Sequence, residues 1–377
     1  MRRPVIPFIG TVVLAVLTVL MTGVPTLSRA KVQRVNGLGK SVGKPSLGYL
    51  RVRDEIRAVV VSGCGDDIDP DGFNLSNPKG AGRCVLVLNA ATGEVIRQFS
   101  HGPDIRDGDT LAYPMIGGVT LYPNTGTLPA DRGYIGDAAG QLWRLDFRDA
   151  DPNNWSMAIA WPPRDAVESG QYRVGRAIEK APSVALAREG SLTVVFGTTE
   201  RGTAPGDTSS MMVSFADEVV LGDGERLDFQ TKRNWVMPLR DDEALRGSST
   251  IRNRTAFFTT LERSVDENQC VGGVARLYAV DYARTQERYN TVDGRTLNVV
   301  PRLPPIKTEG GNIVTDGIAF VLPAGITLDG LAFVRSPSCA EDQEPTTEVV
   351  LNYASTSQGN VAGDIEIERQ AGNRVDQ

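Results

Sequence analysis

The sequence predicts an all-β protein of the β-propeller class, and three observations support this prediction. The 377 residues include 40 glycines and 22 prolines, and runs of helix-forming residues at helical spacing are nearly absent. Short apolar runs recur along the chain, separated by glycine-rich turns. The runs occur in pairs, as expected for the hairpin of a propeller blade. Because such a hairpin cannot bury both faces alone, the repeats must stack on one another around an axis.

Four pairs of apolar runs follow this pattern. They are 57–62 with 84–89, 133–137 with 141–146, 192–197 with 211–215, and 255–260 with 275–281. The segments 120–122 and 181–186 are expected to supply outer strands. After Asp281 the prolines of segment 301–305 interrupt regular structure, and further strand-like runs follow at 318–322, 330–334 and 349–353.

The chain divides into three parts by composition. Residues 1–30 are interpreted as a secretory signal peptide, because Arg2 and Arg3 precede an uncharged, largely apolar stretch that ends in the cleavage-like Ser28-Arg29-Ala30. An uncleaved anchor is the alternative, since the stretch is long enough to cross a bilayer of about 30 Å. Residues 31–353 are expected to form the propeller-like domain. Residues 354–377 are polar and are expected to be a disordered tail.

The four cysteines permit two disulfides in an exported protein. We favour Cys64 with Cys84, which bracket one loop, and Cys270 with Cys339, which bracket the C-terminal region. The two crossed pairings remain open at this point. The sequence has no CxxC pair and no Cys/His spacing of the kind that binds structural zinc, so no zinc site is expected.

Charge and histidine content limit the function classes. The net charge is −6 and the basic residues are scattered, so nucleic acid is not expected as a partner. The only histidine, His101, lies in a Ser-His-Gly-Pro turn. A Ser-His-Asp triad is therefore hard to assemble, and a solvated loop position explains His101 better than catalysis does. Trp143 is expected to pack between blades rather than to bind a ligand.

The segment 131–146 reads DRGYIGDAAGQLWRLD and resembles the signature of the C-terminal propeller of PilY-type type IV pilus proteins. Three other stretches resemble that family in the same order, namely 37–48, 181–183 with 195–198, and 257–260 with the Cys-x-Gly-Gly at 270–273. The matching signature positions are Arg132, Tyr134, Gly136, Asp137, Gly140, Trp143, Arg144 and Asp146.

The resemblance implies a non-catalytic, exported protein of type IV pilus biogenesis. It would act at or near the pilus tip with minor pilins or other assembly proteins, and would contribute to adhesion to host or other surfaces and to twitching. Its location would be the periplasm, the outer membrane or the pilus tip. A quinone-dependent dehydrogenase-like propeller is the enzymatic alternative, but the chain has only four tryptophans and no regular tryptophan repeat. A periplasmic propeller scaffold is a further alternative.

The first blades of the family propeller and its von Willebrand-like N-terminal region have no counterpart in the sequence. The resemblance therefore leads us to expect a second chain that supplies the missing blades, a different blade arrangement, or a truncated gene.

The resemblance also bears on calcium, while no organic cofactor is expected. The family's calcium loop corresponds to residues 123–131, where Asp131 is the one acidic ligand retained, so that site is expected to be lost or very weak. A different acidic loop offers Asp67, Asp69 and Asp71 as side-chain ligands and Phe73 as a carbonyl ligand. It lacks the terminal bidentate glutamate, so it is either a weak calcium site or a plain solvated turn.

Overall fold

A computed structural model of the chain describes residues 35, 37–40, 43–66, 81–100, 105, 111–123, 128–162, 176–187, 190–199, 210–221, 227–262, 273–292, 295–303, 306–307, 314–315, 317–322, 326–335, 347–355 and 366–367. All of them belong to the compact unit Gln33–Gln377. The described elements are strands, apart from one 3-10 turn at Pro152–Asn154. No helix within these ranges is long and apolar enough to span a membrane.

Three antiparallel sheets have four strands each, and the strands of each sheet lie side by side in chain order. The first sheet contains β1 (Ser46–Val52), β2 (Glu55–Gly63), β3 (Val85–Asn89) and β4 (Val95–Phe99). The second sheet contains β5 (Val119–Tyr122), β6 (Arg132–Gly136), β7 (Leu142–Asp146) and β8 (Ser156–Trp161). The third sheet contains β9 (Ser183–Leu186), β10 (Leu192–Gly197), β11 (Met211–Leu221) and β12 (Leu227–Pro238).

The fourth sheet is larger and less regular. Its strands are β13 (Glu243–Leu245), β14 (Thr250–Arg252), β15 (Thr255–Glu262), β16 (Val274–Val292), β17 (Arg295–Pro301), β19 (Val314–Thr315) and β20 (Ala319–Val321). Two strand pairs follow, β18 (Ile306–Lys307) with β23 (Glu366–Ile367) and β21 (Ile326–Arg335) with β22 (Thr347–Ser355). The hairpin β21–β22 contacts β15 and β16 of the fourth sheet.

This architecture confirms the predicted all-β, propeller-like fold. The four predicted pairs of runs are the antiparallel pairs β2–β3, β6–β7, β10–β11 and β15–β16. The strand-like runs predicted after Asp281 coincide with β20, β21 and β22. Apolar runs and the turn residues between them were sufficient to locate these strands, because several of the strands, such as β6, β7 and β10, are buried along their whole length.

Apolar side chains pack between consecutive sheets. One cluster joins the first and second sheets and includes Val59, Val87 and Trp143. A second joins the second and third sheets and includes Trp161, Phe196 and Phe215, whose rings contact one another. A third joins the third and fourth sheets. Each inner sheet is therefore covered on both faces, as the repeat pattern predicts.

The expected position of two strands was wrong. Segments 120–122 and 181–186 form edge strands, β5 and β9, but they lie where neighbouring sheets converge rather than at the outside. The Thr120 hydroxyl donates to the Pro182 carbonyl oxygen at 2.6 Å, and β1, β5, β9 and β14 contact one another in series. Chain order alone does not reveal which edge of a sheet faces the axis.

The sequence-predicted disulfide Cys64–Cys84 is present, with the two Cα atoms 5.2 Å apart. Both cysteines are buried and pack on Leu86, Val35 and Leu38. Cys270 and Cys339 lie outside the described residues, so their pairing stays a prediction. The signal peptide also lies outside the described residues and stays a prediction.

The expected tail is described at four positions, and all four are in strands. Ala354 and Ser355 end β22, and Glu366–Ile367 pairs with Ile306–Lys307. At these positions the expectation of an irregular tail was wrong, because a polar composition does not prevent short backbone pairing with a distant strand. For the other tail residues, which are outside the described ranges, the tail remains a prediction.

Candidate functional site

Most of the signature residues lie on the neighbouring strands β6 and β7, and their side chains point to the two opposite faces of the sheet. On β6 and β7, Arg132 lies opposite Asp146 and Tyr134 lies opposite Arg144. These four side chains share the face that turns toward the third sheet, because residues two apart in a strand point to the same side. Trp143 points to the opposite face and is buried in the cluster with the first sheet, which confirms its expected packing role.

A buried carboxylate from the third sheet lies at the centre of the first group. Asp217 on β11 is fully buried and accepts hydrogen bonds from the Tyr134 hydroxyl at 2.5 Å and from Arg144 Nε at 2.8 Å. Arg144 Nη2 donates to the other carboxylate oxygen, so the arginine binds Asp217 through two nitrogens. Arg132 Nη1 is 3.9 Å from the same carboxylate. Charge pairing and hydrogen bonding together offset the cost of burying Asp217.

Burial also fixes the protonation of the tyrosine in this group. Burial is the main cause that raises the pKa of Tyr134 well above its ordinary value, and the neighbouring Asp217 carboxylate raises it further. The Tyr134 hydroxyl therefore keeps its proton and donates to Asp217 at any physiological pH.

An aromatic ring covers the same arginines. Phe229 on β12 lies 4.1 Å from the guanidinium carbon of Arg144, 4.2 Å from that of Arg148 and 5.4 Å from that of Arg132. Arg148 in turn binds Asp146 through two nitrogens, at 2.9 and 2.8 Å. A cation over an aromatic face is attracted to the ring. The contacts of Phe229 with these arginines therefore hold the hairpin β11–β12 against the end of the second sheet. We call Arg132, Tyr134, Arg144, Asp217 and Phe229 the inter-sheet cluster.

A cleft of about 100 Å³ adjoins the inter-sheet cluster. It lies between β7 and β8 on one side and β12 on the other, and its lining residues are Arg144, Asp146, Ser156, Ala158, Ile159, Asp228, Phe229 and Thr231. Arg144 and Asp146 are engaged in the ion pairs above. The polar side chains around this cleft therefore stabilise the contact between the second and third sheets.

The remaining signature residues form a tight turn between β6 and β7. The Asp137 carboxylate accepts hydrogen bonds from the backbone N–H groups of Ala139 at 2.9 Å and Gln141 at 2.8 Å, and from the Trp143 indole at 3.0 Å. Gly140 has φ of +89°, which favours glycine. At Gly136 a Cβ atom would lie 2.3 Å from the Cβ of Ile178, so only glycine fits there.

Asp137 is unusual because it is buried without a cationic partner among its described hydrogen bonds. Burial raises its pKa to about 7, and the hydrogen bonds from Trp143, Gln141 and Ala139 partly oppose that rise. Protonated Asp137 is therefore present near neutral pH.

Most of the predicted calcium ligands lie outside the residues that the structure describes. Asp67, Asp69, Asp71 and Phe73 are outside the described residues, as is His101. The Asp131 carboxylate is partly exposed and accepts a hydrogen bond from Arg132 Nε at 3.1 Å. In the described part of the chain, no three His, Cys, Asp or Glu side chains come close enough together to hold a metal ion. Weak calcium binding at the 67–73 loop stays a prediction.

The sequence reasoning missed two members of the inter-sheet cluster, Asp217 and Phe229. A signal for Asp217 was present, because it follows Val213 and Phe215 at a spacing of two and so occupies an inward position of an apolar strand. A carboxylate at such a position requires a partner. No comparable signal marks Phe229, which contacts arginines more than 80 positions earlier in the chain.

We predict that Asp217→Asn lowers the free energy of unfolding by about 3 to 5 kcal/mol, because the buried Arg144 then loses the carboxylate that it binds through two nitrogens. Asp228→Asn is the matched control, since Asp228 is an exposed residue on the same hairpin. The control should change stability by less than about 0.5 kcal/mol. Urea unfolding followed by tryptophan fluorescence measures both. Equal, small effects of the two substitutions would contradict the assigned role of Asp217.

We predict a pH-dependent stability term from Asp137. Because its folded pKa of about 7 lies above the ordinary value of 3.8, the term is full below pH 4 and is lost as the pH rises through 7. Between pH 5 and pH 8 the wild type should lose about 2 kcal/mol relative to Asp137→Asn, which cannot titrate. Urea unfolding of both proteins across this range tests the difference. Parallel pH profiles would show that Asp137 is ionised throughout.

No family model matches the chain. A "Type IV pilus biogenesis factor PilY1 homolog" from Xylella fastidiosa is 29% identical over 126 residues, which cover 32% of this chain and 8% of that protein. The crystal structure of the Pseudomonas aeruginosa PilY1 C-terminal domain is similar at 16% identity and a TM-score of 0.45, covering 86% of this chain and 73% of that one.

The Xylella fastidiosa protein is a homolog of the same family that the motifs resemble. The matched stretch spans less than a tenth of that protein's length, so the similarity concerns one part of a much longer chain. Together the motifs and the match show that part of this chain is similar to a PilY1 homolog.

Proposed function

We propose that the chain is an exported, non-catalytic protein of type IV pilus biogenesis that works by binding other proteins. The observation that carries this proposal is the signature 131–146, which is supported by the match to a PilY1 homolog. The fold is compatible with the proposal, although a propeller-like fold does not by itself fix a function.

The state of the signature residues supports binding rather than catalysis. Tyr134 and Arg144 of the signature are buried, and both are hydrogen-bonded to the buried Asp217. A general acid or base has to reach its substrate within hydrogen-bonding distance. These side chains stabilise the contact between sheets, so the function is assigned to the exposed surfaces.

The proposed partners are minor pilins or other pilus assembly proteins, and the proposed place is the pilus tip, the outer membrane or the periplasm. Contributions to adhesion on host or other surfaces and to twitching belong to the same proposal. The disulfide Cys64–Cys84 is in accord with export, because such bonds persist in oxidising compartments.

Deletion of the gene in its source bacterium tests this proposal. We expect fewer surface pili and a smaller twitching zone, and both should return when the gene is supplied in trans. If the protein opposes retraction, removing the retraction motor from the deletion strain should also restore part of the surface pilin. Sheared-pilin immunoblots measure the first effect and subsurface agar assays the second. Normal piliation in the deletion strain, with total pilin unchanged, would contradict the proposal.

A further inference from the structure

The two faces of the first sheet differ sharply in their surroundings. One face carries Leu50, Val52, Val59 and Val61, which are buried against the second sheet. The opposite face carries Leu47, Tyr49 and Ile56, whose exposed fractions are 65%, 40% and 55%. Successive residues of a strand point to opposite sides, so these three side chains belong to one face.

The exposed side chains form one patch. Leu47 lies opposite the half-buried Val60 in the neighbouring strand, Tyr49 lies opposite Ala58, and Arg51 lies opposite Ile56. Cross-strand neighbours of this kind have their Cβ atoms about 5 Å apart, so the apolar surface is continuous from Leu47 to Ile56. We call this surface the open face. Contiguous exposed apolar patches mark interaction sites in soluble proteins.

The neighbouring sheets show what normally covers such a face. The second and third sheets are each packed on both sides by another antiparallel sheet through apolar side chains. In the part of the chain that the structure describes, the first sheet begins this series. Its outer face is covered near Leu86 by Val35 and Leu38, and it is exposed at Leu47, Tyr49 and Ile56. By continuity with the three established interfaces, the occupant of the open face is the apolar face of another antiparallel sheet.

We propose that the open face binds the open face of a second copy of this chain, which gives a two-fold symmetric dimer. A second copy supplies the required occupant, an antiparallel sheet with exposed Leu, Tyr and Ile side chains. The centre of the patch is uncharged, since Leu47, Tyr49, Ala58 and Val60 carry no charge and Arg51 lies near the strand end. Two such faces therefore meet without like charges opposed, and two-fold dimers are the commonest homo-oligomers.

The dimer is expected to be weak. Three exposed large side chains form a patch smaller than the roughly 800 Å² per partner of a standard interface. A dissociation constant on the order of 10⁻⁵ M is in keeping with that size. The inference goes beyond the proposed pilus function and does not depend on it. Self-association is measured on the purified protein, and a monomeric variant can be tested for piliation separately.

A second exposed apolar surface provides the competing hypothesis. Val219, Leu221 and Leu227, near the end of the hairpin β11–β12, are exposed to 41%, 71% and 50%. If this hairpin end of one copy bound the open face of the other, the contact would be head-to-tail and would involve different residues on the two copies. Substitution of Leu221 distinguishes the two arrangements.

Sedimentation velocity of the purified protein over about 1 to 300 µM tests the proposal, a range that brackets the expected constant. We expect the weight-average mass to rise from one copy toward two. The double variant Leu47→Glu and Ile56→Glu should weaken association at least tenfold. Leu186→Glu, 59% exposed on β9, and Leu221→Glu are matched controls and should dimerise like the wild type.

Near-UV circular dichroism checks that each variant remains folded, which is expected because all four positions are exposed. A wild type that stays monomeric throughout the range overturns the proposal, and so does a double variant that still dimerises. Loss of the dimer in Leu221→Glu alone would overturn the proposal and assign the contact to the hairpin. Loss in Leu186→Glu equal to that in the double variant would also overturn it, because the effect would then not depend on the open face.

Discussion

The buried carboxylate of Asp217 is the interaction on which the arrangement of the sheets depends. It lies on the third sheet, yet its hydrogen-bond partners Tyr134 and Arg144 lie on the second. Apolar packing is non-directional and tolerates sliding between sheets. A carboxylate bound by two arginine nitrogens and one hydroxyl has a narrow range of acceptable geometries, so this contact fixes how the two sheets meet.

A related arrangement recurs in the fourth sheet. The Tyr278 hydroxyl on β16 lies 2.9 and 3.0 Å from the two carboxylate oxygens of the buried Glu243, and Arg276 is 3.9 Å from the same carboxylate. At the end of the same run, Asp281 pairs with Arg254 and Arg302. Buried tyrosine and arginine around one carboxylate are thus a repeated way of joining strands in this chain. A function carried by exposed surfaces needs a scaffold of this kind to hold those surfaces in place.

Local patterns in the sequence accounted for most of the strands and for part of the site. Short apolar runs located β6 and β7, and the glycine pattern around Gly136 and Gly140 placed the turn, because these features depend on residues close in sequence. The role of Asp217 depends on Tyr134, which is 83 positions earlier. Single-sequence reasoning has no measure of that distance, and it also gave the wrong sheet edge for β5 and β9. The calcium ligands expected at 67–73 lie outside the described residues, so they remain predictions.

The central claim is that Asp217 and Arg144 couple the second and third sheets energetically. A double-mutant cycle tests it most directly, with Asp217→Leu, Arg144→Met and the double variant compared by urea unfolding. If the claim holds, each single variant is strongly destabilised, and the double variant is more stable than the sum of the single effects by at least about 1 kcal/mol. Additive effects within about 0.3 kcal/mol would contradict it, because they would mean that the two side chains stabilise the protein independently.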